Sequence, residues 1–490
     1  MNIKVANTVN EHFAREEMTR YERLAATIEE SIRNGIWLAG EKLPSIRAMS
    51  RAENVSPATV VEAYELLRSR GVIEAKDRSG FYVASVSVPL LSVPKVAPGF
   101  VKPVSFAADD LIYALRQAAH DLRVFPFGAA TPLPDFYPNK AVARCIAQVM
   151  RDEPAIIGEY RFPPGSLELR QQLAKRYSAM GVRAIADAYV TTAGAIDALG
   201  MALSSVAAPG EVVAVETPGY FGILQLVRSL GYKILEIPLD AERGLTPDRF
   251  EKAWQKSNGK IKALITVANY SNPLGTLVSD EDKKALVKLA QEYGVVIIED
   301  DVYGDLGFNG VRPLPLKTFD NDDTVILCGS FSKSISPALR VGYACSKKYA
   351  SDIILHKTAR SSGVSALMED ALALYLKSGN YERHLRKLRR DYQTLIAQYT
   401  QSILSLFPSG TRVSRPEGGF ILWVQLPKNV DSRVLQARAL EKNISIAPGS
   451  IFSLSHNDYA SFMRINCAIP WSSQAQKALG VLAKLVKAMV

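Results

Sequence analysis

Residues 295–306, VVIIEDDVYGDL, run from four consecutive β-branched residues into three acids, a tyrosine and a glycine. The apolar run is too short for a helix and suits a strand buried on both faces; the polar turn after it marks the strand's carboxyl end. The same form recurs on either side, at YVTT (189–192), VVAV (212–215), ALITV (263–267), TVILC (324–328) and VGYAC (341–345), with helical segments between. Short apolar strands alternating with helices predict a parallel sheet covered on both faces, an α/β architecture. After about residue 350 the chain is more helical, then returns to strands at FILWVQL (420–426) and FMRIN (462–466), which predicts a smaller α+β subdomain.

Toward the N-terminus the pattern changes. Tyr21, Leu24, Ile28 and Ile32 recur at helical spacing. Ser45 offers an N-cap for a second helix in LPSIRAMSRAE (43–53), and Ser56-Pro57 opens a third whose inward stripe is Val60, Tyr64 and Leu67. VIEA (72–75) and FYVA (81–84), joined by Lys76-Asp77-Arg78-Ser79-Gly80, read as a hairpin. Three helices and a hairpin over 19–84 predict a winged helix-turn-helix, with Arg47, Ser56, Thr59 and the wing residues Lys76 and Arg78 as candidate DNA contacts. Pro89, Pro94, Pro98 and Pro103 space a stretch poor in charge, so 85–119 is read as a semi-stiff linker and 120–490 as the large domain.

The 490 residues, 48% hydrophobic and 22% charged, suffice for two or three domains. No run is long and apolar enough to span a membrane and the first residues lack a signal-peptide core, so a cytoplasmic chain is expected. Cys145, Cys328, Cys345 and Cys467 are scattered, which argues against a zinc site or a disulfide framework. The net charge of +10 suits an acidic partner, yet residues 1–84 hold 12 Lys/Arg and 12 Asp/Glu, so the excess lies in 85–490.

Polar residues follow each strand at the edge where open α/β sheets bind ligands. Gly194 and Ala195 open a helix after YVTT, in TTAGAIDALG (191–200). Tyr220 follows VVAV, in ETPGY. Asn272 lies in the turn YSNPLG (270–275). Asp300 ends its strand and Tyr303 comes three residues later. Lys333 sits among serines in CGSFSKSISPALRVGY (328–343), seven residues before Arg340. Alone, each is an ordinary strand end, a capping acid or a solvated lysine. Together they supply what pyridoxal phosphate requires: an amine for its aldehyde, helix amides and a cation for its phosphate, a carboxylate for its ring nitrogen and an aromatic face for its ring.

Two resemblances follow from these motifs. GEKLPSIRAMSRAENVSPATVVEAYELLRSRGVIEAKDRSGFYV resembles the GntR-type winged helix, except that Pro57 and Val61 stand where many relatives carry basic residues on the recognition helix. The ordered set of glycine loop, PGY, N-P-x-G, D-x-x-Y, S-x-S-K and L-R-x-G-Y resembles fold-type I aminotransferases over roughly 120–490, as do RPEGGFILWV (415–424), APGSIF (447–452) and MRIN (463–466). That resemblance implies that Lys333 binds the cofactor covalently, Asp300 pairs with the ring nitrogen and Asn272 and Tyr303 contact the ring oxygen. Ser330 and Arg340 join the Gly194 loop at the phosphate, and Tyr220 stacks on the ring. Arg464 holds a substrate carboxylate, and Tyr160 reaches the partner subunit's cofactor. One departure is Ile196-Asp197, where relatives often carry polar amides. The two halves in this order are similar to the MocR group of regulators. The expected function is a DNA-binding homodimer whose large domain senses an amino acid, an amine or pyridoxal phosphate itself; the alternative is a working aminotransferase with an appended DNA-binding domain.

Overall fold

The structure, a computed structural model, describes residues 19–33, 37, 41–76, 79–83, 94, 109–455 and 457–490. It falls into two compact units, 1–91 and 92–490, each with its own core.

The first unit contains α1 (Arg20–Arg33), α2 (Ile46–Ala52) and α3 (Pro57–Ser69), followed by the antiparallel pair β1 (Ile73–Lys76) and β2 (Gly80–Val83). Leu24 and Ile28 on α1, Met49 on α2, and Val60, Tyr64 and Leu67 on α3 close the core against Leu43, Ile73 and Val83. Both expected caps form: Ser45 Oγ accepts the Ala48 amide, and Ser56 Oγ accepts the Thr59 amide. Residues 41–43 add to the wing through Leu43 N–H to Phe81 O and Val83 N–H to Glu41 O. Asp77 and Arg78, in the expected turn, and the linker residues 85–93 and 95–108 lie outside the described residues. Within the 85–119 stretch read as linker, α4 (Asp109–His120) is helical, with Ile112 and Leu115 buried in the second unit's core.

The second unit is built on a seven-stranded sheet. Its strands are β3 (Tyr189–Thr192), which leads into helix α5 (Ala195–Val206); β4 (Val212–Thr217), which leads into α6 (Phe221–Ser229); β5 (Lys233–Pro238); β6 (Ile261–Thr266); β7 (Val296–Asp300); β8 (Val325–Ser330); and β9 (Gly342–Cys345). The spatial order is β3-β9-β8-β7-β6-β4-β5. The sheet is not wholly parallel as expected: β9 runs antiparallel to both β3 and β8. The reason lies in the connection, residues 331–341, which holds no α-helix to carry the chain back over the sheet for a parallel return. The reversal brings the start of β9 to the edge where the parallel strands end. Every expected site motif of the large domain before residue 350, Tyr160 apart, therefore meets on one edge.

A long helix, α7 (Asn380–Leu406), leads from this unit's sheet to the expected α+β subdomain. There β10 (Arg412–Val413), β11 (Ile421–Gln425), β12 (Ala447–Pro448) and β13 (Phe462–Asn466) form an antiparallel sheet in the order β10-β11-β13-β12. Trp423, fully buried, stacks on Phe462 and meets Phe452 edge-on, a large apolar anchor for this layer. Helix α8 (Ser473–Lys487) closes it.

Candidate functional site

Lys333 lies just past β8, and burial together with the Arg464 and Arg340 charges lowers its ammonium pKa from 10.5 to about 8. Its Nζ donates to Ala130 O at 2.6 Å. The loop around it is held from outside: Tyr137 Oη donates to Ser332 O at 3.0 Å, and His384 Nε2 donates to Ser334 O at 2.8 Å.

Asp300 ends β7 and is buried. Burial, reinforced by Asp301, raises its carboxyl from 3.8 to about 7, while Lys333 pulls it down. One of its oxygens accepts the Val302 amide; Oδ1 is buried without a hydrogen-bond partner among the described residues. Which of the two aspartates faces the lysine is settled by the other's contacts. Asp301 accepts from Arg312 at 2.5 Å, Asn269 at 2.9 Å and Tyr177 at 3.0 Å, so it is committed to a buried network on its own side.

Arg464, on β13, is 1% exposed and pairs with no carboxylate among the described residues. It donates to Asn272 Oδ1 at 3.1 Å and Gly128 O at 2.7 Å, and its Nε is unpartnered among the described residues. Burial lowers its pKa to about 10, and its charge acts on the phenols of Tyr303 and Tyr220. Asn272 Nδ2 lies 3.4 Å from Tyr303 Oη. A buried guanidinium with no counter-charge is costly, and an anionic ligand would relieve that cost.

At the other end of the edge, Gly194 caps α5 with φ 107°, a conformation that disfavours any side chain. A Cβ there would meet the Arg340 guanidinium at 2.6 Å, and one on Gly342 would meet the Gly194 backbone at 2.5 Å. The loop, Arg340 and the start of β9 are thus packed without room for another atom. Ser330, paired with Gly342, completes this corner. The first-turn amides of α5 have no partners within the helix, and the Arg340 guanidinium, which donates to Ala193 O, lies beside them; amides and a cation together suit an anion. Asp197, the departure noted in the sequence, accepts the Ala193 amide at 2.8 Å and so fastens the loop to the first turn of α5.

These residues fit pyridoxal phosphate. Asp300 Oδ1 lacks a donor that a protonated ring nitrogen would provide, the N-terminus of α5 beside Arg340 suits a phosphate, and Lys333 is part-deprotonated near neutral pH.

Other expected residues stand apart. Tyr160 is 80% exposed and stacks on Phe162, 62% exposed. Arg47 is exposed on α2. Ser56 and Thr59 are joined through their hydroxyls at 2.8 Å as part of the α3 cap, so their first role is structural. Lys76 reaches Glu74 at 3.6 Å and lies over the Tyr82 ring at 4.6 Å. Arg78 is outside the described residues. Residues that no motif pointed to are Tyr137, Tyr381 and His384 around the lysine loop, and Arg312 beside Asp301. The partners of the first three lie far away in sequence, while Arg312 reaches back within its own loop segment to Asp301 and Asp305, a pairing that no motif marks.

Residues 135–482 match the family of aminotransferases class I and II, and residues 20–83 match the gntR family of bacterial regulatory proteins. Two relatives from Escherichia coli K12 are the uncharacterized HTH-type transcriptional regulators YjiR and YdcR. Each is 36% identical over 96% of this chain and 99% of its own length. Among solved structures, LysN from Thermus thermophilus, an alpha-aminoadipate aminotransferase complexed with N-(5'-phosphopyridoxyl)-L-leucine, superposes with a TM-score of 0.71 at 25% identity, covering 76% of this chain and 94% of that one. Among the described residues no helix is long and apolar enough to cross a membrane, and no cluster of His, Cys, Asp and Glu suits a metal ion.

Proposed function

The chain belongs to the class I and II aminotransferase family, in the group that carries a GntR-type domain ahead of it, and from that premise we propose a pyridoxal phosphate-dependent transcription regulator that binds DNA through residues 19–84 and an amino acid or amine through the large unit. The observation that carries the ligand reading is Arg464: a fully buried guanidinium beside Lys333 with no carboxylate of its own among the described residues.

The cofactor supplies an electrophilic carbon and, through its ring, a place to delocalise charge. The chain's residues divide the remaining work. Lys333 is the amine that would hold the cofactor and that an incoming amine would displace. Its lowered pKa leaves a useful fraction uncharged near neutrality, and Ala130 O orients Nζ. Asp300 would hold a proton on the ring nitrogen. Asn272 and Tyr303 would contact the ring oxygen, and Tyr220 would stack on the ring. Gly194, Ala195, Ser330 and Arg340 would hold the phosphate. Arg464 takes the ligand carboxylate by a fork and leaves its amine aimed at the Lys333 position.

On the DNA side, Arg47, Lys76 and Arg78 are proposed to contact the duplex, with Ser56 and Thr59 presenting the start of α3. A homodimer is proposed as the working unit. Ile157, Tyr160 and Phe162 are exposed on the large unit, and the first two line a cleft of about 390 Å³ together with Val364 and Leu367. Large apolar side chains left bare around a cleft fit a second copy, with Tyr160 contributing to that copy's site.

The test uses a duplex selected by the full chain from a random pool. Its affinity is measured with and without pyridoxal phosphate, then with a panel of amino acids and amines. The proposal expects affinity or mobility to change with one ligand class, and the change to vanish in Lys333→Ala. DNA binding indifferent to every ligand and to that substitution would refute it. The second reading, a working aminotransferase, is favoured by the intact set Lys333, Asp300 and Arg464, and is scored in the same samples by keto-acid formation.

A further inference from the structure

The lysine loop is gripped by a helix that the chemistry above does not use. Tyr381 and His384 lie one turn apart on α7 and point the same way. Tyr381 Oη donates to Asp305 Oδ2 at 2.8 Å, and Asp305 also accepts from Arg176 and Arg312 at 2.5 and 2.6 Å. Those two guanidiniums keep Asp305 ionised. A carboxylate only accepts, so the Tyr381 proton is committed to it. The contact of 2.8 Å between Ser334 Oγ and Tyr381 Oη must then run from serine to tyrosine. His384 Nε2 donates to Ser334 O at 2.8 Å. Burial lowers the His384 pKa, with Lys387 and Asp391 as its charged neighbours, so it holds this bond as a neutral ring.

Ser334 is therefore clamped at its side chain and its carbonyl by two residues of one helix, directly after Lys333. The far part of that helix enters the small subdomain: Tyr392 packs on Phe420, and Tyr399 Oη donates to Ile469 O at 3.2 Å. Arg389, on the same helix, donates to Asp305 O at 2.7 Å and ties its middle to the turn after Asp300.

We infer that Tyr381 and His384 are positioning residues that fix the Lys333 amine through Ser334 and join its placement to α7 and the small subdomain. The inference deepens the proposed function: displacement of Lys333 by a ligand loosens the residue that α7 grips, and movement of α7 re-aims the lysine. The groups facing Lys333 itself are Arg464, Asp300 and Arg340, none of which the clamp touches.

The test is the rate at which apo chain develops a visible band with pyridoxal phosphate, followed against pH, since only the uncharged amine reacts. The wild-type midpoint is expected near the Lys333 value of about 8. Tyr381→Phe removes the acceptor for Ser334 and a donor to Asp305 without changing the ring. His384→Gln retains a donor of different reach. Both are expected to let the amine relax toward water and move the midpoint upward by about half a pH unit or more, which cuts the uncharged fraction at pH 7 about threefold. Tyr392→Phe, on the same helix with its hydroxyl unpartnered among the described residues, is expected to keep the wild-type midpoint. Wild-type midpoints in both clamp variants would overturn the inference alone. A wild-type chain that never develops the band would overturn the cofactor reading beneath it.

Discussion

Asp300 carries a cost in the folded chain that is removable by one substitution. Its carboxyl is 5% exposed and rises from 3.8 to about 7, first because burial penalises the charge and second because Asp301 stands beside it. The folded chain holds this proton more tightly than the unfolded one does. The resulting penalty is absent below pH 3.8, grows between 3.8 and about 7, and is complete above. At roughly 1.4 kcal/mol per pH unit, the penalty is about 1.6 kcal/mol at pH 5 and about 4 kcal/mol at pH 8. Asp300→Asn has the same shape, can still accept the Val302 amide and carries no charge to desolvate. In apo protein it is expected to be more stable than wild type at pH 8, by about 2–4 kcal/mol, with a gain smaller by about 2–3 kcal/mol at pH 5. Denaturant unfolding of both proteins at the two pH values reads this directly. Adding pyridoxal phosphate reverses the ranking in part, because the ligand stabilises wild type by mass action and the variant less. An Asn variant that gains nothing at pH 8, or gains equally at both pH values, would refute the assignment of a buried, unsatisfied carboxylate to Asp300.

Three further outcomes are expected. Arg464→Gln keeps the visible band but binds amino acids at least about tenfold more weakly, the loss expected from one charge-assisted fork; decarboxylated amines, titrated by absorbance alongside, are unaffected. Gly194→Ala forces a side chain at φ 107° against Arg340, so equilibrium dialysis should show pyridoxal phosphate affinity reduced by about tenfold or more. In the first unit, Arg47→Ala should flatten the salt dependence of DNA binding by about one unit of slope, while Ser56→Ala should lower thermal stability by about 1 kcal/mol through the lost α3 cap.

The fold was legible where local chemistry dictates it. Strands such as YVTT and FMRIN coincide with the observed ones, because β-branched and aromatic residues buried on both faces leave a short, unbroken signature. Ser45 and Ser56 revealed two helix starts because a serine hydroxyl accepts an otherwise unpaired first-turn amide. The direction of β9 was not legible. VGYAC reads the same parallel or antiparallel, and only the absence of a crossover helix in 331–341 decides. Helix α4 was absorbed into the linker because four prolines upstream set the expectation for the whole stretch, although Ile112 and Leu115 already have helical spacing. In the site, the motif residues of the sheet edge and Arg464 converge, since each is tied to a strand or the turn beside it. Tyr381 and His384 could not be found, because their partner Ser334 is brought to them only by tertiary packing; Arg312 pairs with Asp301 across its own loop, where no motif marks it. The three-residue spacing to Tyr303 points to Asp300 rather than Asp301, and the Arg312 ion pair, which engages Asp301, agrees with it.

The most direct test of the central claim is the visible spectrum of the full chain after incubation with pyridoxal phosphate and exhaustive dialysis, wild type against Lys333→Ala. A band retained by wild type and absent from the variant is the predicted result. A colourless wild type, or a variant that keeps the band as firmly, would contradict the placement of the cofactor on Lys333 and with it the proposed route from ligand to DNA.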